Sequence, residues 1–155
     1  MALRRKNCIK QSGKRSRTME LIRSKDEDLG KLSRIPIVGT VAAGIPILSE
    51  ENWEGTLTVN ESTLKKNKTY FAVRVRGDSM SGAGIMDGDM AIIEKANIVR
   101  NGEIAIAVVD DAFTLKRFYK ENTRIRLQAE NPDYKPIYCQ NVRIAGRLYQ
   151  IIRNY

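Results

Sequence analysis

The sequence predicts a mainly β domain over residues 35–155, preceded by a short basic hairpin. Three observations predict it. From Ile35 onward, short apolar stretches alternate with turn signals. Apolar residues at helical spacing are nearly absent over the same span. The pairs Asp87-Gly88, Asn101-Gly102 and Asp110-Asp111 each precede a run of strand-forming residues.

The elements follow in order. Met1 to Lys6 reads as the end of a helix. Cys8 to Gln11 and Thr18 to Ile22 read as the arms of a hairpin with a basic loop between them. Arg23 to Ser33 is charged and short of large apolar residues, as a linker is. Phe71, Val73 and Val75 alternate with Ala72, Arg74 and Arg76, the period of a strand ending at Arg76. Met90 to Ile93, Ile104 to Val109, Phe113 to Tyr119 and Arg124 to Gln128 are the next strands, the last set off by Asn122. Ile144 to Ile152 closes the chain.

Composition excludes several classes. The chain has 155 residues, enough for one compact domain and a short appendage, and its 42% hydrophobic content suits a globular protein. The longest apolar run, Ile104 to Val109, is far short of the ~20 residues of a membrane helix. The basic N-terminus has no apolar segment behind it, so it is no secretory signal. A cytoplasmic protein without membrane contact is expected. Cys8 and Cys139 lack CxxC spacing and the chain has no histidine, so no metal site and no cofactor are expected. The charge is concentrated: residues 1–34 carry a net +7 of the total +9. Such an arm suits a polyanion, nucleic acid first, and it equally suits a solvated tail.

The chemistry centres on Ser79 and Lys116. A serine nucleophile needs a base. Without histidine the Ser-His-Asp arrangement is closed. A lysine serves if burial lowers its pKa from about 10.4 toward neutrality. Ser79 follows Gly77 at a strand end, where the backbone N–H groups of Asp78 and Ser79 are candidate oxyanion donors. Alternation places Thr114 and Lys116 on one strand face, so the Thr114 hydroxyl can orient the amine. Ala43-Gly44 lies among small residues that permit close approach of a hydroxyl. Each feature alone has a plain structural reading: a turn serine, a solvent-facing lysine, a tight turn before Pro46. Their combination is what points to a nucleophile, a base and a substrate bond in one chain.

Taken together, the motifs resemble the LexA repressor family, self-cleaving regulators of the bacterial SOS response to DNA damage. The resemblance runs through Ile35-Pro36-Ile37-Val38-Gly39, Ala42-Ala43-Gly44, Val75-Arg76-Gly77-Asp78-Ser79-Met80, Gly84-Ile85-Met86-Asp87-Gly88-Asp89 and Asn101-Gly102-Glu103. It continues through Thr114-Leu115-Lys116-Arg117-Phe118-Tyr119-Lys120 and Leu127-Gln128-Ala129-Glu130-Asn131-Pro132. It implies the all-β fold shared with signal peptidases, cleavage between Ala43 and Gly44, Ser79 as nucleophile and Lys116 as base. It also implies a homodimer, and RecA filaments on single-stranded DNA as the stimulating partner.

The N-terminus resembles only part of a winged helix-turn-helix. The implied organisation is a truncated DNA-binding remnant over 1–24, a linker over 25–34 and a self-cleavage and dimerisation domain over 35–155. What survives for DNA is charge: Arg4, Arg5, Lys6, Lys10, Lys14, Arg15 and Arg17 suit phosphate contacts, hence weak, salt-dependent binding to duplex DNA. The closing stretch, with Leu148, Ile151 and Ile152, is the candidate association strand; the alternative is that it sits within its own sheet. Two rival functions share the Ser-Lys pair. A UmuD-like accessory of a translesion polymerase lacks a DNA-binding domain, and a signal peptidase carries a membrane segment.

Overall fold

The structure is a computed structural model and describes residues 30–41 and 44–155. Among the described residues nine strands form one sheet, in the order β2-β1-β3-β4-β9-β5-β6-β7-β8. They are β1 (Leu32–Val38), β2 (Trp53–Asn60), β3 (Tyr70–Arg74), β4 (Met90–Lys95), β5 (Ile104–Val109), β6 (Ala112–Lys120), β7 (Ile125–Gln128), β8 (Ile137–Cys139) and β9 (Arg143–Ile152). The fold is thus mainly β, as its alternating apolar stretches require. No described helix is long and apolar enough to cross a membrane.

The described residues fall into two compact units. One is 30–34 with Thr58–Lys66; the other is Ile35–Leu57 with Asn67–Tyr155. In the smaller unit the Glu61 N–H donates to the Lys31 carbonyl at 2.9 Å, and Asn60 caps a single helical turn through the Ser62 N–H at 3.0 Å. Strand β1 begins at Leu32, within the segment read as a linker over 25–34.

In the larger unit, β1 and β3 are parallel. Strands β5 to β8 form an antiparallel meander. The larger core cluster gathers Phe71, Ile93, Ile106 and Leu115; a smaller one gathers Ala105, Ala107, Phe118 and Leu127. Leu115 and Phe118 therefore enter different clusters, as residues three apart on a strand must.

Other sequence expectations are altered as well. Strand β3 ends at Arg74, not Arg76, although Val75 still exchanges two hydrogen bonds of 2.8 Å with the 88–89 turn. Both faces of β3 are covered, since Ala72 is as fully buried as Phe71 and lies opposite Ile92. Strands β1, β2 and β8 are not among the strands read from the sequence; β2 and β8 are the two sheet edges, one largely exposed and the other three residues long. The closing strand β9 has no free edge: it pairs with β4 on one side and β5 on the other. The alternative reading, a strand within its own sheet, is the one observed. Its register shifts against each neighbour, and those irregularities let one strand satisfy both.

The β5–β6 hairpin closes through Asp110 and Asp111, with Val109 paired to Ala112. Both aspartates have positive φ, 51° and 62°, the signature of a type I′ turn. Such a turn favours Asn-Gly, because a Cβ is unwelcome in the left-handed region. The double replacement Asp110→Asn, Asp111→Gly is expected to raise stability by about 0.5–1 kcal/mol. A urea titration monitored by tryptophan fluorescence reads this as a higher midpoint at unchanged slope.

Candidate active site

Lys116 and Ser79, 37 positions apart in the chain, meet with Nζ 3.1 Å from Oγ. Strand β6 supplies the lysine, and the loop after β3 supplies the serine. The Lys116 amine is also 2.8 Å from Thr114 Oγ1 and 3.2 Å from the Leu115 carbonyl oxygen. Both side chains are half-buried. Burial disfavours the ammonium form and lowers the Lys116 pKa. Ser79, Thr114 and Lys116 are thus brought together as the sequence suggested.

The serine loop is closely tied. Gly77 takes φ +81°, which a side chain would strain, and its N–H donates to Asp87 Oδ1 at 2.7 Å. The Asp78 carbonyl accepts from the Ser81 N–H at 3.1 Å and from Asn131 Nδ2 at 2.9 Å. The Ser79 carbonyl accepts from the Glu130 N–H at 2.9 Å. Gly82 donates to the Glu130 carbonyl at 2.6 Å, and a Cβ at Gly82 would lie 2.4 Å from that same oxygen. The Asp78 carboxylate accepts from the Tyr134 hydroxyl at 2.5 Å, which raises the tyrosine pKa. Behind the loop, Asp89 is buried and receives Nε and Nη2 of Arg153, each at 2.7 Å. Arg153 Nη2 also donates to the Gly84 carbonyl. The guanidinium holds the Asp89 pKa down at about 2.

A cleft of about 320 Å³ opens beside the pair. Ser79, Thr114 and Lys116 line it together with Gly39, Thr40 and Glu54. The segment approaching the proposed cut is therefore part of the cleft wall. Gly44 is exposed, with φ +77°. Ala43 lies outside the described residues, as do the DNA-contact candidates Arg4, Arg5, Lys6, Lys10, Lys14, Arg15 and Arg17.

Residues 36–149 match the Peptidase S24-like family. The chain is 47% identical over 156 residues to the LexA repressor of Leptospira interrogans serogroup Icterohaemorrhagiae serovar copenhageni (strain Fiocruz L1-130), with 99% of this chain and 77% of that one covered. It belongs to the LexA repressor family. Similarity extends to the LexA repressors of Clostridium perfringens (strain SM101 / Type A), at 44%, and Clostridium kluyveri (strain ATCC 8527 / DSM 555 / NBRC 12016 / NCIMB 10680 / K1), at 40%. Each of these alignments covers 99% of this chain and 75% of the relative. In this LexA-family chain the sequence reading did not assign Glu130, Asn131, Tyr134, Asp89 or Arg153 to the site. The segment Glu130-Asn131-Pro132 is among those that carry the resemblance, but nothing local in the sequence tells that it lies against Ser79.

Proposed function

We propose that this LexA-type repressor inactivates itself by hydrolysing its own Ala43–Gly44 bond, with Ser79 as nucleophile and Lys116 as general base. The observation that carries the reading is the 3.1 Å separation of Nζ and Oγ at a half-buried lysine in a chain without histidine. A neutral amine has two N–H donors and one lone pair. Thr114 Oγ1 and the Leu115 carbonyl suit the two donors, which leaves the lone pair for the Ser79 proton.

Ser79 Oγ attacks the Ala43 carbonyl carbon as its proton passes to Lys116. The tetrahedral oxyanion is stabilised by the Asp78 and Ser79 N–H groups. Collapse expels the Gly44 amine, which takes the proton from Lys116. Water then attacks the acyl-serine, giving a new C-terminal carboxylate at Ala43 and restoring Ser79. Because the bond is on the same chain, its effective concentration is high and little binding energy is required.

Regulation follows as a population shift of the segment around Ala43-Gly44, with RecA filaments on single-stranded DNA favouring the docked position. A homodimer and duplex DNA are the other partners of this reading. The repressor reading stands ahead of a UmuD-like polymerase accessory because LexA repressors align with 99% of this chain.

Incubation without added protease tests the chemistry. Two fragments, 1–43 and 44–155, are expected by mass spectrometry. Their rate of appearance rises with pH, because the neutral amine accumulates as pH passes the Lys116 pKa, then levels off. The midpoint lies below the ordinary lysine value, since burial lowers that pKa. A different cut, or a rate independent of pH from 7 to 10, would refute the mechanism.

A further inference from the structure

The turn after β7 approaches the serine loop with side chains that the self-cleavage reading leaves unused. Asn131 Oδ1 accepts from the Asp133 N–H at 2.9 Å. That contact fixes which end of the amide faces which way, so Nδ2 points to the Asp78 carbonyl at 2.9 Å and the Ser81 hydroxyl at 3.4 Å. The Tyr134 N–H donates to the Asn131 carbonyl at 3.1 Å, which closes the turn and presents the tyrosine hydroxyl to the Asp78 carboxylate. One residue, Asp78, is thus gripped at both its carbonyl and its side chain from the same turn.

The consequence lies in peptide geometry. The unit joining Asp78 to Ser79 is planar and trans, so its N–H points opposite to its C=O. Holding the Asp78 carbonyl against Asn131 and Ser81 therefore aims the Ser79 N–H away from them. The next unit is held too, through the Ser79 carbonyl and the Glu130 N–H. Glu130 is itself paired with Arg117, the residue after Lys116. The turn that grips the nucleophile is thereby registered on the strand that carries the base.

We infer that Asn131 and Tyr134 are positioning residues for the self-cleavage reaction: they orient the Asp78–Ser79 peptide so that the Ser79 N–H meets the oxyanion at the attacked carbonyl. The inference rests on the Ser-Lys reading and adds to it. Neither residue touches the reacting atoms. Their effect is on the geometry of one N–H donor and the hydroxyl beside it.

The full-length chain tests this through rate against pH. Tyr134→Phe and Asn131→Ala are each expected to lower the high-pH plateau by about 10- to 100-fold. The midpoint should stay in place, because Thr114 and Leu115, not this turn, surround the amine. A merely structural role would loosen the cleft, wet Lys116 and carry the midpoint up toward the ordinary lysine value. Pairing Tyr134→Phe with Asp78→Ala adds a coupling test: the double variant should be no slower than the slower single variant. Wild-type rates in both single variants, a shifted midpoint, or additive losses in the double variant would each overturn the assignment. Ser79→Ala, run in parallel, separates the two claims. Cleavage that survives in Ser79→Ala removes the Ser-Lys reading itself, whereas its absence there, with Tyr134→Phe and Asn131→Ala unimpaired, removes only the positioning role.

Discussion

Ser79→Ala and Lys116→Ala should each leave the chain intact under conditions in which the parent divides into 1–43 and 44–155. The expected loss is about 10⁴-fold or more, because nucleophile and base act as a unit and either removal disables both. Lys116→Arg is informative in a second way. It keeps a positive charge in the cleft, but a guanidinium does not deprotonate in the accessible range. It should therefore stay uncleaved even at pH 10. Lys116→Met separates chemistry from folding. The half-buried ammonium is poorly solvated, so an apolar side chain of similar length should leave the melting temperature unchanged or higher while abolishing cleavage. Quantitative mass spectrometry and a thermal scan on the same samples read both. Cleavage at Ala43–Gly44 by the methionine variant would show that the amine is not the base.

Arg153→Ala is expected to have the largest effect on stability. Asp89 is 1% exposed; Arg153 meets both of its oxygens at 2.7 Å, and the Met86 N–H donates to one of them at 2.8 Å. Removing the guanidinium leaves a buried carboxylate without its counter-charge, a loss of about 3–5 kcal/mol. At this chain length that lowers the melting temperature by about 10 °C. The pH dependence follows from the same pair. The folded Asp89 pKa, at about 2, lies below the ordinary 3.8, chiefly through the Arg153 hydrogen bonds. The folded state therefore binds the proton less readily than the unfolded chain. The contribution is complete above pH 3.8 and is lost as pH falls through 2, amounting to about 2 kcal/mol. Arg153→Ala should flatten that part of the acid-unfolding curve. The paired change Asp89→Leu, Arg153→Met should recover much of the stability, because it removes the buried carboxylate along with its counter-charge and leaves no buried charge unpaired. An equal loss in the single and double variants would show that shape, rather than charge, is what Arg153 contributes.

Some strands are legible from local rules because local forces make them. Asp87-Gly88, Asn101-Gly102 and Asp110-Asp111 announce β4, β5 and β6, since turn chemistry acts over two or three residues. The edge strands β2 and β8 escape because an edge needs little apolar surface to persist once its neighbour exists. The site divides along the same line. Ser79 and Lys116 stand out as residue types, because a chain without histidine has few ways to build a serine nucleophile. Gly77 before Ser79 marks the needed turn, and φ +81° is what glycine allows there.

Residue identity and short-range periodicity were thus enough to name the mainly β class and to single out Ser79 and Lys116, while the bond proposed for cleavage came from the family resemblance. The interior place of β9, the burial of both faces of β3 and the grip of Asn131 and Tyr134 on Asp78 were settled by three-dimensional packing. The contacts of Asn131 and Tyr134 with Asp78 join residues more than fifty positions apart, as do those of Arg153 with Asp89. Their geometry depends on where the sheet brings separate turns together. Propensity and periodicity act along the chain and carry no information about that meeting; it is fixed only when burial of the two core clusters selects one strand order among those the same local elements would permit.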